Sequence, residues 1–123
     1  MTDDLTPAAS FDLDQQTCLG LLATQRMGRL VVGGNSPTVL LAEFTVVDGA
    51  ALLIGAVDVD LTDSQWVVFE VEGIDEHQHL GWSVILRGPL EGTGERRMTI
   101  VELTGRWVRS ARRTPPLDGR AYL

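Results

Sequence analysis

The sequence of 123 residues predicts a mainly β fold, in which one N-terminal helix precedes a six-stranded antiparallel β-barrel. Two observations predict it. A single segment with helical spacing is followed by six closely spaced runs of strand-forming residues. Turn residues, above all Asp48-Gly49, separate these runs at distances that suit hairpins rather than crossover helices. Closing such a sheet into a barrel removes its exposed edges.

The helix is predicted from Asp14 to about residue 25. The Asp14 carboxylate can accept a hydrogen bond from a backbone N–H two or three residues later, as a helix N-cap does. Apolar residues between Cys18 and Leu22 follow the helical period, and Gly28 is a typical end. Cys18 is the only cysteine and lies on the apolar side, which favours a buried and unreactive thiol.

Six runs rich in β-branched and aromatic residues follow the helix, and glycine, proline or acidic residues separate them. The predicted strands are residues 29–32, 38–47, 50–57, 66–72, 81–90 and 97–108. Alternation along the fourth strand places Val67, Phe69 and Val71 on one face of the sheet. We therefore expect a flexible N-terminal arm over residues 1–12, a barrel domain over 13–109 and an irregular tail over 110–123.

Charge and composition exclude several classes of function. The net charge is −7, and all ten basic residues are arginine, so Schiff-base chemistry by lysine is excluded. An acidic protein is poorly suited to nucleic acid, because neutralised phosphates supply most of that affinity. No apolar run is long enough for a membrane span, and the N-terminus lacks the features of a signal peptide. We expect a cytoplasmic protein that binds neither nucleic acid nor membrane.

Two groups of residues resemble metal ligands, and neither predicts a specific site. Asp58, Asp60 and Asp63 lack the glycine and distal glutamate of a calcium loop, so a solvated acidic turn is favoured. His77 and His79 lie in a polar loop, where two ligands alone do not hold a metal ion.

Several segments match one known family in order and spacing over most of residues 14–108. They are Cys18 to Ala23 with Met27 to Val32, Phe44 with Val47-Asp48-Gly49, Phe69-Glu70-Val71-Glu72, Gly81-Trp82-Ser83-Val84 with Arg87-Gly88, and Thr104-Gly105-Arg106. Together they resemble the pyridoxamine 5′-phosphate oxidase-like family of FMN-binding split barrels, in its small actinobacterial and nitroimidazole-reductase-type branch. The resemblance implies a split barrel, a homodimer, and FMN or a deazaflavin as cofactor.

The resemblance also implies where the cofactor binds. Trp82 and Ser83 match positions near the flavin across the dimer interface, although Trp82 also suits a buried core position. Glu43 matches a position near the isoalloxazine ring. The residues that the resemblance gives as candidates for cofactor binding are Glu43, Phe44, Gly55, Ala56, Trp82, Ser83, Arg87 and Arg106. It assigns no catalytic residue and no metal ligand.

The chain departs from the family at the phosphate site. Relatives end the third strand with a Phe-Arg-Thr-like tripeptide followed by Lys-Leu, and these side chains bind the FMN phosphate. Here Ile54-Gly55-Ala56 and Asp60-Leu61 stand at the matching positions, without a basic residue. A phosphate requires cationic donors, so Arg87 or Arg106 would have to replace them.

Two functions remain open at this point. The first is a flavin-dependent oxidoreductase that uses FMN or a deazaflavin and has its sites at a homodimer interface. The second is a non-catalytic split-barrel dimer without flavin that binds a protein partner or another small ligand. The fold resemblance favours the first, and the missing basic residues favour the second.

Overall fold

The computed structural model describes residues 9–33, 35–57 and 65–109. These residues form one helix and eight strands. In chain order the elements are β1 (Ala9–Asp12), α1 (Gln15–Leu22), β2 (Met27–Val32), β3 (Thr38–Val47), β4 (Ala51–Ile54), β5 (Gln65–Asp75), β6 (Leu80–Glu91), β7 (Arg96–Thr99) and β8 (Glu102–Arg109). No helix within these ranges has the length and apolar character needed to cross a membrane.

The strands form one antiparallel sheet in the order β1-β8-β6-β5-β2-β3-β4-β7. A further pairing between β6 and β7 closes the six strands from β2 through β7 into a barrel. Strands β8 and β1 extend from this barrel. The predicted mainly β barrel with one helix is therefore confirmed. The long strand β6 pairs with β5 along one edge, while its other edge pairs first with β8 and then with β7.

The helix and the first hairpin form as the sequence predicts. The Asp14 carboxylate accepts a hydrogen bond of 2.7 Å from the backbone N–H of Thr17, which makes Asp14 the N-cap of α1. The turn between β3 and β4 has positive φ at both Asp48 (54°) and Gly49 (66°). Aspartate and glycine tolerate this conformation better than most residues, which explains the strength of this hairpin signal.

Three strand predictions differ from the structure. The strand predicted over residues 50–57 is shorter and comprises only Ala51–Ile54. Ala9–Asp12 lies within the predicted arm, yet it pairs with β8 along Arg106 to Arg109. The run predicted as one strand over 97–108 is two strands, because its pairing with β6 is interrupted between Met98 and Glu102 and its pairing with β4 ends at Thr99. The predicted tail over 110–123 and residues 1–8 of the arm lie outside the described residues.

The core fills the barrel and the space beneath α1. Phe44 and Phe69 meet edge to face, with ring centroids 5.4 Å apart. The predicted alternation along β5 is confirmed, because Val67, Phe69 and Val71 are buried. Cys18 on α1 is also fully buried, as its position on the apolar side of the helix predicts.

Candidate functional site

An open cleft of about 530 Å³ lies on the outer part of the sheet, where β1 and β8 extend from the barrel. Its volume is in the range of small-molecule sites in proteins, about 300–1,000 Å³. The lining residues come from β1, β6, β8 and the residue that follows β1. They are Asp12, Leu13, Ser83, Ile85, Leu103, Thr104, Gly105 and Arg106.

Two of the predicted cofactor-binding residues, Ser83 and Arg106, meet in this cleft. They are direct partners across the β6–β8 ladder. On its other side Arg106 is paired in register with Asp12 of β1, and its Nη2 lies 3.9 Å from Asp12 Oδ1. That separation is too long for a hydrogen bond, so the guanidinium donors remain available to a ligand. Arg106 thus gives the cleft a cation with unused donors.

The position of α1 against β8 shapes this part of the sheet. A Cβ atom on Gly105 would lie 2.5 Å from Cys18 Sγ, so only glycine allows this close approach of helix and strand. Burial raises the pKa of the Cys18 thiol, and the nearby Asp14 carboxylate adds to the effect. A thiol that stays protonated is a poor nucleophile, so Cys18 packs the helix against the strand rather than reacting.

Three other predicted residues lie together at a different place, the end of β4. The backbone N–H of Gly55 donates a hydrogen bond of 2.9 Å to the carbonyl of Glu43. Ala56 follows and is exposed, as Glu43 is. Strands β2 and β5 separate this group from Ser83 within one subunit, because the sheet order is β6-β5-β2-β3-β4. The structure therefore divides the predicted site into two parts.

The remaining three predicted residues lie in neither part. Phe44 and Trp82 are each only 7% exposed and belong to the core, which agrees with the buried alternative for Trp82. The Trp82 ring packs so closely over Gly73 that a Cβ atom there would lie 2.6 Å from it. Arg87 is exposed beside β8, and its Nε lies 3.7 Å from Glu102 Oε2.

A charged cluster lies on the outer face of the barrel, between β2 and β5. Arg29 Nη1 donates to Glu70 Oε1 at 2.9 Å and to Glu72 Oε1 at 2.8 Å. The guanidinium hydrogen bond holds the pKa of Glu72 below its usual value. Arg29 is therefore occupied by two carboxylates and is a weaker candidate for binding a ligand than Arg106.

The sequence favours a solvated strand face for the basic pair Arg96-Arg97. Strand β7 pairs with β4 so that Arg96 faces Ile54 and Arg97 faces Leu53. The sequence shows that these residues are adjacent and basic, and it does not show which strand they join. The Arg96-Arg97 pair is visible in the sequence, and only the β4–β7 register shows which residues lie beside it.

Among the described residues, the candidate metal ligands do not converge. His77 and Gln78 lie in a turn where their backbone N–H groups both donate to Asp75 Oδ1, at 3.0 and 3.2 Å. Across the three described ranges, no group of three or more His, Cys, Asp or Glu residues is placed to hold a metal ion. Asp58, Asp60 and Asp63, and with them the predicted acidic replacement at the phosphate site, lie outside the described residues.

Comparison with known proteins identifies the family. Residues 14–120 match the profile of the pyridoxamine 5′-phosphate oxidase family. The chain belongs to this family. The match spans α1 and all strands of the barrel, so the family predicted from the sequence motifs is confirmed, while the branch stays a prediction.

Solved structures of similar fold include two flavoproteins. A FAD binding protein from Mycobacterium smegmatis is 25% identical, and the alignment covers 82% of this chain and 100% of that one with a TM-score of 0.72. A FAD-binding protein from Mesorhizobium loti is 16% identical over 82% of this chain and 98% of that one, with a TM-score of 0.71. At 16% identity, the similarity to the M. loti protein concerns the fold alone. Comparison with curated protein sequences finds no match.

Proposed function

We propose that this member of the pyridoxamine 5′-phosphate oxidase family binds a flavin and acts as a flavin-dependent oxidoreductase. The observation that supports the proposal most directly is the cleft in which Ser83 and Arg106 meet. The family resemblance implies a role in cofactor binding for both residues. The similarity to the FAD binding protein from M. smegmatis, whose whole length is covered, supports the same class of cofactor.

The residues of the cleft suit a planar, partly polar ring system. Leu13, Ile85 and Leu103 supply apolar walls, and the Ser83 hydroxyl can both donate and accept. The Arg106 guanidinium would favour negative charge on a bound group, which is the charge that develops when a flavin is reduced. A bound flavin supplies hydride or electron transfer, and the protein supplies binding and orientation.

We also propose that the active form is a homodimer, in which the two parts of the predicted site come from different subunits. The support is an apolar patch on the outer face of β2, β3 and β5, which we call the outer patch. Its members are Met27 (46% exposed), Val39 (55%), Leu41 (68%) and Trp66 (57%). Exposed apolar residues grouped on one face are typical of association sites, and here they lie beside the charged cluster of Arg29. Glu43 is paired in register with Met27 of the outer patch, so a second copy bound there would lie beside the Glu43 and Gly55 region.

A second candidate function is a non-catalytic dimer that binds a protein partner or another small ligand. The exposed carboxylate of Glu43 favours it. Glu43 stands at the position that the resemblance places near the isoalloxazine ring, and a carboxylate there opposes negative charge on the ring.

A binding experiment separates the two candidates. The purified protein is examined by visible spectroscopy and then titrated with FMN, FAD and a deazaflavin while fluorescence quenching is followed. We expect saturable binding of one of them, and we expect Arg106→Ala to weaken it about tenfold or more, because hydrogen bonds to charged groups contribute about 1.5–3 kcal/mol. Arg109→Ala is the matched control, since Arg109 is exposed on the same strand and does not line the cleft. A colourless protein that quenches none of the three flavins would support the non-catalytic dimer.

A further inference from the structure

We propose that Asp12 and Arg106 act together as a specificity pair in the cleft. The pair binds a neutral ligand edge on which an N–H lies beside a C=O, as in the imide of a flavin's pyrimidine ring, and it disfavours a phosphate. That the ligand is a flavin rests on the proposed function, while the preference for a neutral edge rests on the geometry of the cleft. Asp12 precedes residues 14–120, which match the family profile, so the family resemblance does not assign it a role.

The specificity pair belongs to a row of three polar side chains on one face of the sheet. Asp12 of β1 is directly opposite Arg106 of β8, and Arg106 is directly opposite Ser83 of β6. Directly opposite residues of antiparallel strands project to the same face, with Cβ atoms about 4.5–5.5 Å apart. All three residues line the cleft. A single small group can therefore reach the carboxylate and the guanidinium at once.

Both members of the specificity pair are available to a ligand. Arg106 Nη2 and Asp12 Oδ1 are 3.9 Å apart, and the two side chains are 57% and 94% exposed. That distance is too long for a hydrogen bond, and attraction between two solvated charges is weak. Within residues 9–33, 35–57 and 65–109, neither side chain forms a hydrogen bond with another residue.

The charges of the specificity pair decide which ligand group it suits. A phosphate held by Arg106 would carry nearly two negative charges beside the Asp12 carboxylate, and the repulsion would offset much of the attraction. A neutral edge with adjacent N–H and C=O groups gains at both positions. Its N–H donates to Asp12, and its C=O accepts from Arg106. Arg106 is therefore poorly placed to replace the phosphate contacts that the chain lacks.

The neighbouring row of the same face suits the rest of a ring system. Thr104 and Ile85 are directly opposite each other, two residues along from Arg106 and Ser83, and both line the cleft. Residues two apart in a strand share a face. Ile85 offers apolar contact to a ring, and the Thr104 hydroxyl can donate or accept a hydrogen bond.

The first test compares riboflavin with FMN, since only FMN carries a phosphate. Asp12→Ala should weaken the binding of both by about fivefold or more, the effect of one lost hydrogen bond, as measured by fluorescence quenching. Asp12→Asn keeps an oxygen acceptor and should bind both more tightly than Asp12→Ala does. Glu102→Ala is the matched control, because it removes a carboxylate beside Arg87 on the same sheet and outside the cleft. Circular dichroism checks that each variant is folded.

The opposite result has the opposite sign. If Arg106 bound the phosphate, removal of the Asp12 carboxylate would relieve repulsion, and Asp12→Ala would bind FMN more tightly than the wild type. Either that gain or an unchanged affinity for riboflavin would overturn the specificity pair. Both results would leave the flavin-binding function standing.

The second test removes the ligand's N–H. Riboflavin methylated at N3 cannot donate to Asp12, so the wild type should bind it less tightly than riboflavin. Asp12→Ala should then have no further effect on the methylated compound. An equal loss on Asp12→Ala for both compounds would show that the carboxylate does not accept from this N–H.

A third measurement applies if neither riboflavin nor FMN binds, in which case the proposed function fails. The specificity pair is then tested with uracil, which carries the same imide, by NMR of the arginine side-chain N–H groups. Saturable shifts of the Arg106 signals that vanish in Asp12→Ala would support the specificity pair, and their absence would overturn it.

Discussion

Individual glycine residues determine how closely the elements of this barrel pack against one another. Gly105 admits Cys18 of α1, and Gly73 admits the ring of Trp82. Gly88 has the closest contact, because a Cβ atom there would overlap the carbonyl oxygen of Thr99. That contact lies where the chain passes from β7 to β8, and Val101 N–H donates to the Arg87 carbonyl at 2.9 Å beside it. The interruption between the β6–β7 and β6–β8 pairings therefore depends on a glycine in β6.

Gly88→Ala is expected to destabilise the protein strongly. The added methyl group would meet backbone atoms of Thr99, which cannot move aside as the end of a flexible side chain can. We expect a loss of about 3 kcal/mol or more in the free energy of unfolding, at the upper end of the range for overpacking. Urea unfolding followed by circular dichroism measures it.

Gly20→Ala is the matched control for this prediction. Gly20 lies on the exposed side of α1, and a Cβ atom there meets nothing within 4 Å. Alanine stabilises a helix interior by about 0.5–1 kcal/mol relative to glycine, so we expect a small gain. If the Gly88→Ala and Gly20→Ala variants had the same free energy of unfolding, Gly88 would not lie in close contact with Thr99.

Whole elements differ in how well the sequence predicts them. Strand β3 was predicted with both of its ends, because Pro37 precedes it and the Asp48-Gly49 turn follows it. Strand β1 was missed because four residues are too few for alternation to be recognised, and its pairing with β8 is a tertiary interaction. The division between β7 and β8 was missed for the same kind of reason. Apolar residues continue through Ile100 and Val101, and the strand ends only because its pairing with β4 ends and its pairing with β6 is interrupted there.

The cap of α1 gives a prediction about pH. The pKa of Asp14 is lowered, mainly because its carboxylate accepts the backbone hydrogen bond of Thr17. A carboxyl group whose pKa is lower in the folded state contributes stability above its unfolded pKa, and this contribution is lost as the pH falls through the folded value. Asp14 should therefore stabilise α1 at pH values above 3.8 and lose this effect below.

Thermal unfolding of two variants tests the cap. Asp14→Ala should lower the melting temperature at neutral pH, because the Thr17 N–H loses its partner. Asp14→Asn keeps an oxygen acceptor that does not titrate, so its melting temperature should exceed that of Asp14→Ala at neutral pH. As the pH falls below 3.8, the difference between the wild type and Asp14→Asn should shift in favour of the asparagine variant. An unchanged difference across that range would contradict the capping role.

At the scale of the whole molecule, barrel closure determines which candidate residues meet. The family resemblance identified Ser83 and Arg106 from their strand motifs, and the structure places them together in the cleft. The contribution of Asp12 and Leu13 depends on β1, which the sequence did not predict. Likewise Arg96 and Arg97 reach the end of β4 only because β7 closes the barrel between β4 and β6. Sequence patterns thus predicted residues within strands, and long-range pairing determined their neighbours.

The outer patch gives the prediction that concerns the assembly. Leu41 is 68% exposed on the outer face of β3, beside Arg29 of β2. A glutamate at this position would add a third carboxylate beside Arg29, which Glu70 and Glu72 already bind, and would place a charge in the interface while leaving the barrel core untouched. We expect Leu41→Glu to convert a dimer into a monomer with an unchanged circular dichroism spectrum, as measured by light scattering. Ile74→Glu is the control, because Ile74 is 77% exposed near the β5–β6 turn and outside the outer patch.

The same variant connects the assembly with ligand binding. If the site joins Glu43 and Gly55 of one subunit to Ser83 and Arg106 of the partner subunit, a monomer holds only half of the contacts. Leu41→Glu should then weaken flavin binding although Leu41 does not line the cleft. A monomeric Leu41→Glu protein with full flavin affinity would show that one subunit holds the complete site. A Leu41→Glu protein that remains a dimer would place the interface elsewhere on the barrel.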